Sequence, residues 1–212
     1  MATYPERGRF ITLEGGEGVG KSTQARRLAA ALRARGIDVV ETREPGGSEG
    51  AEAIRALLLG GAVDRWSAAA EALLFAAARS DHVDRTIRPA LDGGAWVLCD
   101  RFIDSSLAYQ GLVGSVGIEA IATLHQVGSG GFLPDRTLLL HLPLEEATRR
   151  TRQRDRAGAD RFGARDEGFH FGVAAAFKRL ASADPARFRS VDAIGDEAGV
   201  TDRLVAALDD LL

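Results

Sequence analysis

The chain has one cysteine, Cys99, and two lysines, Lys21 and Lys178, among its 212 residues. A single thiol cannot close an internal disulfide, which excludes a disulfide-stapled secreted scaffold. There is no basic excess: 27 Lys+Arg stand against 30 Asp+Glu, a net charge of -3 and a pI near 5.8. That balance argues against a binder of nucleic-acid polymers or anionic membranes, so any anion binding must be local. No long hydrophobic run is present. The greasiest stretch, 68–78, is interrupted by Glu71 and closed by Arg79, too short and too charged to span a bilayer. Residues 1–9 are polar and lack an apolar signal core, which together with the lone thiol predicts a cytoplasmic location. The N-K-x-D base-reading motif of GTP-dependent switches is absent. The histidines, His82, His125, His141 and His170, are scattered, and each is read as packing or surface.

What is there has the composition of an ordinary globular protein, 45% hydrophobic and 27% charged, and the length of one α/β domain spanning 1–212. Short apolar runs at 9–14, 38–42, 96–100, 137–142 and 188–192 read as strands. Helical patterns fit 21–35, 49–59, 68–91, 117–127, 144–154, 168–183 and 198–212. Strands alternating with helices predict a five-stranded parallel sheet with helices on both faces, a fold whose ligands sit beyond the carboxyl ends of the strands.

After the first strand comes G-G-E-G-V-G-K-S-T, residues 15–23, which matches the phosphate-loop pattern G-x-x-x-x-G-K-S. Gly15, Gly16, Gly18 and Gly20 let the backbone approach a polyphosphate with its N–H groups pointing inward. The helix that follows adds its unsatisfied N–H groups and the positive end of its dipole. Glu17, Val19 and Thr23 complete the loop that would hold ATP. Lys21 can reach the β- and γ-phosphates, and Ser22 can ligate the accompanying Mg²⁺. Lysine usage sharpens the assignment, because 25 of the 27 basic residues are arginine and one of the two lysines stands at this position. A compact ammonium on a flexible stem fits between phosphates where a planar fork does not.

Other chemically marked segments also follow strands: Arg43-Glu44-Pro45-Gly46-Gly47 and Asp100-Arg101. Asp100, ending an apolar strand near a phosphate loop, is suited to hold Mg²⁺ directly or through water, and Arg101 to clamp a second phosphate. Between 149 and 165 lie seven arginines, at 149, 150, 152, 154, 156, 161 and 165. Such a run usually forms a solvated face. Beside a phosphate loop that has no arginine of its own, it reads as a lid, spanning about 149–167, that brings guanidinium groups to a migrating phosphoryl.

Taken in order, the phosphate loop, the R-E-P-G-G segment, Asp100-Arg101 and the late arginine lid resemble the bacterial thymidylate kinases over nearly the whole chain. The resemblance implies a P-loop nucleoside-monophosphate kinase that moves the γ-phosphoryl of ATP to dTMP, and a homodimer. By the same resemblance Phe75 stacks on thymine, Arg79 donates to a base carbonyl, and Glu17 meets the sugar 3′-hydroxyl or the metal shell. Arg55 and Arg101 take the dTMP phosphate. Ser105, Ser106, Tyr109 and Gln110 contact the base and exclude a 2′-hydroxyl, and Asp192-Ala193 lies beside adenine. The catalytic set is then Lys21, Glu17, Arg101 and lid arginines. The stretch 160–167 is slightly longer than the family spacing, so Arg152, Arg154, Arg156 and Arg161 stay open, with Arg154 and Arg161 as the candidates. The phosphate oxygen of the acceptor is already ionised at neutral pH, so no general base is required.

Overall fold

The computed structural model describes residues 7–154, 161–163 and 165–212, with the backbone alone for 152–154. Its sheet has five strands, β1 (Phe10–Glu14), β2 (Val39–Arg43), β3 (Trp96–Asp100), β4 (Arg136–His141) and β5 (Phe188–Asp192). All pair in parallel in the order β2-β3-β1-β4-β5. Each lies within one residue of its sequence-predicted position; β1, β3 and β4 are short apolar runs buried almost throughout, while β2 and β5 at the sheet edges expose Glu41 and Arg43, and Ser190 and Asp192.

The helices are α1 (Lys21–Arg33), α2 (Glu49–Leu59), α3 (Ala68–His82), α4 (Arg88–Asp92), α5 (Ile103–Ser106), α6 (Ile118–Ser129), α7 (Leu144–Arg154), α8 (Glu167–Ala183) and α9 (Glu197–Ala206). Side-chain caps set several starts: the Ser48, Ser67, Asp166 and Asp196 oxygens each accept an N–H of the first turn. The pattern at 68–91 predicts one helix. It is realised as α3, a π-helical turn Val83–Ile87, and α4 with Pro89 in its first turn, where a missing N–H costs least. Helix α9 ends at Ala206, earlier than its apolar pattern predicts.

One helical segment was not legible. Ile103 to Val113 forms α5 followed by a π-helical stretch, although Asp104, Ser106 and Gln110 fall among its buried residues and erase any apolar stripe. Asp104 is fully buried and accepts both Nη1 and Nη2 of Arg187, at 2.6 and 3.0 Å, which ties this segment to the start of β5.

Alternation along β1 divides the core. Ile11 and Leu13 join Leu28, Leu32, Leu138, Leu140, Leu204 and Leu208 under α1 and α9. Phe10 faces the opposite way, into Ile87, Leu91, Val97, Phe102 and Ile121. A third cluster, with Tyr109, Phe162, Val173, Phe177 and Phe188, lies under α8. Fully burying a side chain such as Phe10, Phe102 or Phe177 contributes about 1.5–3 kcal/mol. Period-two alternation also turns Thr12 and Glu14 toward the Phe10 face, leaving Glu14 with no solvent exposure directly beneath residues 102–105.

Candidate functional site

The loop between β1 and α1 takes positive φ at Gly15, Gly18 and Gly20. Gly20 (φ 92°) turns directly into α1, and nothing lies within 4 Å of where its Cβ would stand. At Gly18 a Cβ would sit 2.3 Å from the Ala147 carbonyl oxygen, so α7 lies against the loop too closely for any side chain. The Lys21 ammonium folds back across the loop, donating to the Gly15 and Gly16 carbonyls at 3.0 and 2.7 Å. Burial, with Arg101 close by, pulls its pKa down to about 8. Ser22 Oγ donates to Asp100 Oδ2 at 2.5 Å, while Asp100 Oδ1 is buried with no hydrogen-bond partner among the described residues.

Arg101 follows β3 with φ 73°, a left-handed conformation that costs a non-glycine residue about 1–2 kcal/mol. That turn aims its guanidinium back over the sheet edge. Nη1 donates to Gly15 O (3.2 Å) and Ser105 Oγ (3.1 Å), Nη2 donates to Glu17 Oε1 (2.5 Å), and the group lies 5.0 Å from the Tyr109 ring centre.

Two hollows meet at this point. A cleft over the phosphate loop is lined by Glu17 to Gln24, Arg43, Asp100, Arg101, Arg150 and the Ala193–Val200 region. A cavity with about 560 Å³ of empty space holds Glu17, Arg55, Phe75, Arg79, Arg101, Ser105, Ser106, Tyr109 and Gln110 in its lining. Every residue that the sequence reading gives to dTMP therefore faces one cavity. Glu17, Glu44, Arg55 and Arg101 line both hollows.

The cavity's polar groups are held by buried partners that the sequence reading left unassigned. Arg79 donates Nε to Glu44 Oε2 (2.8 Å) and Nη2 to Ser106 Oγ (2.8 Å). Glu44 Oε1 in turn meets His82 Nδ1 at 3.1 Å, and His82 Nε2 meets Thr42 Oγ1 at 2.6 Å. His82, read from sequence as packing or surface, is thus a fully buried polar link. Glu14 accepts the Phe102 N–H (2.8 Å) and the Ser105 hydroxyl (2.7 Å). Burial first, then the nearby Asp104, pushes the Glu14 carboxyl up to about 7. Arg55 Nη1 donates to Pro45 O at 2.5 Å. The one legible signal for these groups was a charged residue inside an apolar run, as at Glu14 and Glu71.

Two expected site residues, Arg161 and Asp192, do not line the cleft. Arg161 is 3% exposed and does not line the cleft; it donates to Leu58 O (2.7 Å), Ala62 O (2.9 Å), Val63 O (3.0 Å) and Glu71 Oε2 (2.9 Å). Its neighbour Phe162 lines the cavity instead. Of the expected pair Asp192-Ala193, Ala193 lines the cleft, while Asp192 caps the Ile194 N–H at 2.9 Å. The side chain of Arg154, like Arg152 and Arg156, lies outside the described residues; among the lid arginines Arg150 lines the cleft, paired with Glu146 at 2.7 Å.

Among the described residues no group of three His, Cys, Asp or Glu converges to hold a metal ion. A divalent cation over Ser22 and Asp100 therefore fits only if a ligand brings further oxygens, and the orphaned Asp100 Oδ1 suits that arrangement.

The thymidylate kinase family model matches residues 13–203. The chain is 66% identical to a thymidylate kinase of Rhizorhabdus wittichii over 97% of this chain and 99% of that one. It is 50% identical to one from Caulobacter vibrioides over 97% and 96% of the two chains. The crystal structure of thymidylate kinase from Ehrlichia chaffeensis superposes with a TM-score of 0.75 at 30% identity, covering 95% of this chain and 98% of that one. With that match running through the phosphate loop, Asp100-Arg101 and the cavity residues alike, the chain belongs to the thymidylate kinase family.

Proposed function

We propose that the cleft over the phosphate loop takes ATP, that the adjoining cavity takes dTMP, and that the γ-phosphoryl passes between them in line, giving dTDP. The observation that carries this reading is the shared wall: Arg55 and Arg101 line both hollows, so an anion in each would lie beside the same guanidinium groups. Repulsion between two phosphates is the main obstacle to their encounter, and fixed positive charge in a partly dehydrated site offsets it without reorganising.

On the donor side, the backbone N–H groups of the loop and Lys21 hold the phosphates, and Lys21 follows the γ-phosphoryl as charge redistributes. Its ammonium would exchange the Gly15 and Gly16 carbonyls for phosphate oxygens, which also favours its charged form. Ser22 and Asp100 would hold Mg²⁺ together with nucleotide oxygens, and when bound the ion neutralises charge on the β- and γ-phosphates. On the acceptor side Phe75 stacks on the base, Arg79 donates to its carbonyl, and Tyr109 fills the space beside the sugar. Glu17, already joined to Arg101, stands between sugar and phosphate. The closing arginine comes from the 149–167 lid.

The same reading extends to a homodimer. Leu73 on α3 and Val127 on α6 are 56% and 82% exposed, an apolar face that a second copy would cover. Light scattering of the purified protein gives a dimer mass if this holds and a monomer mass if it does not. A cytoplasmic location remains part of the proposal; among the described residues no helix is long and apolar enough to cross a membrane.

The decisive assay offers ATP and Mg²⁺ with dTMP, dUMP, UMP, CMP or AMP in turn. A strong preference for dTMP is expected, and preference for any other acceptor overturns the reading. A nucleotide-dependent switch would instead hydrolyse ATP or GTP slowly with no small acceptor.

A further inference from the structure

Arg161, Glu71 and Gln110 form a buried chain from the lid to the cavity. Glu71 sits on α3 four residues before Phe75 and eight before Arg79, on the helix face that lines the cavity. Its Oε2 accepts from Arg161 Nη2 at 2.9 Å and lies 3.5 Å from Arg165 Nη2. Its Oε1 accepts from Gln110 Nε2 at 3.0 Å. Glu71, Gln110 and Arg161 are 6%, 3% and 3% exposed, so water does not compete for these bonds. Three backbone carbonyls, of Leu58, Ala62 and Val63, fix the arginine on the α2–α3 connection. The next residue, Phe162, lies edge-on to Phe75 and Tyr109, with ring centres 5.7 and 6.2 Å apart.

We propose that Arg161 is a positioning residue of the acceptor site, acting through Glu71 on Gln110 to select pyrimidines that carry a hydrogen on N3. The inference rests on the reading that this cavity takes the base. A carboxylate that serves two arginines only accepts hydrogen bonds. It therefore takes the amide nitrogen of Gln110 and turns the amide oxygen away from itself, toward the base. An acceptor oxygen at that place pairs with the N3–H of thymine or uracil. Cytosine presents a lone pair at N3, which leaves both acceptors unpaired and repelling, and a buried mismatch of that kind is strongly disfavoured. Without Arg161, Glu71 keeps only the longer contact to Arg165 and loses the buried donor that fixes its carboxylate, so its hold on the Gln110 amide weakens.

The test measures steady-state kinetics for dTMP and dCMP, and dTMP binding without ATP, in the full chain carrying Arg161→Met, Arg161→Lys, Glu71→Gln, Gln110→Ala or Glu71→Gln with Gln110→Ala. Expected is a rise of about tenfold in KM for dTMP in Arg161→Met and Glu71→Gln, larger than any change in kcat or in KM for ATP. Selectivity for dTMP over dCMP falls by about the same factor, one mispaired buried hydrogen bond. Arg161→Lys, which keeps the charge, recovers part of the loss. In the Gln110→Ala background, Glu71→Gln adds little. Glu71→Gln is isosteric and keeps the reading open if Arg161→Met unfolds. A fall in kcat for Arg161→Met with dTMP binding unchanged would mean that the arginine serves the transferred phosphoryl, and the proposal is lost. Multiplying effects of Glu71→Gln and Gln110→Ala overturn the relay alone. A Gln110→Ala variant with unaltered dTMP binding sinks the assignment of this cavity to the base, and the relay with it.

Discussion

The donor and acceptor halves of this site are built differently. The proposed donor cradle is one contiguous stretch, Gly15 to Thr23, whose geometry comes from glycines at positive φ. The acceptor cavity draws on side chains spread from Glu17 to Phe162, and most of its polar groups are already engaged: Arg79 with Glu44, Gln110 with Glu71, Ser105 with Glu14. A backbone cradle tolerates variation around it because the main chain supplies the ligand contacts. A side-chain pocket depends on buried partners, since removing one leaves a desolvated group unpaired.

The comparison breaks most visibly at Lys21, whose ammonium folds across the cradle. Lys21→Ala should lower kcat by about 10²–10³-fold, the cost of removing one preorganised electrostatic donor, while the thermal midpoint changes little. Near-normal turnover in that variant would contradict the cradle argument. Next comes Glu44→Ala, which strands the buried Arg79 and His82 together. A loss of about 3 kcal/mol in stability is expected for an uncompensated buried charge, read as a lower denaturant midpoint, along with weaker dTMP binding. A stability unchanged from the parent would show that the acceptor side does not depend on its supports. Phe75→Ala should raise KM for dTMP by about tenfold, the value of one base–aromatic stack, with KM for ATP unchanged. An equal loss for ATP would dissolve the division between the halves.

The last effect concerns Glu14. Its carboxyl is pushed up to about 7 from 4.5, so the folded chain holds the proton more tightly than the unfolded chain. Stability should therefore fall as pH rises from about 4.5 to about 7, the window between those two values. Thermal midpoints across that range should show the decline in the parent and a flatter profile in Glu14→Gln. A parallel decline in both would remove Glu14 as its source.

The strands were legible because a buried parallel strand announces itself as a short apolar run. The phosphate loop was legible because its chemistry is local in sequence. The segment 103–113 was not, since its buried polar residues, Asp104 paired with Arg187 and Ser106 and Gln110 lining the cavity, mimic a loop pattern. Arg161 was drawn to the phosphates by the company of six other arginines in 149–165, but its partners are carbonyls and a carboxylate about 90 to 103 residues away. Spacing along the chain carries no information about such pairings.

What the sequence determined by itself is the order of strands and helices and the donor loop, since periodicity, glycine positions and a lone lysine act over a few residues. Tertiary structure alone decided that β1 lies between β3 and β4 and that Glu14 is buried under Ser105. It also decided that Glu44, Glu71 and Asp104 each meet an arginine in the interior. The physical reason is that a charged side chain is stable inside a protein only beside its partner, and the fold alone brings those partners together.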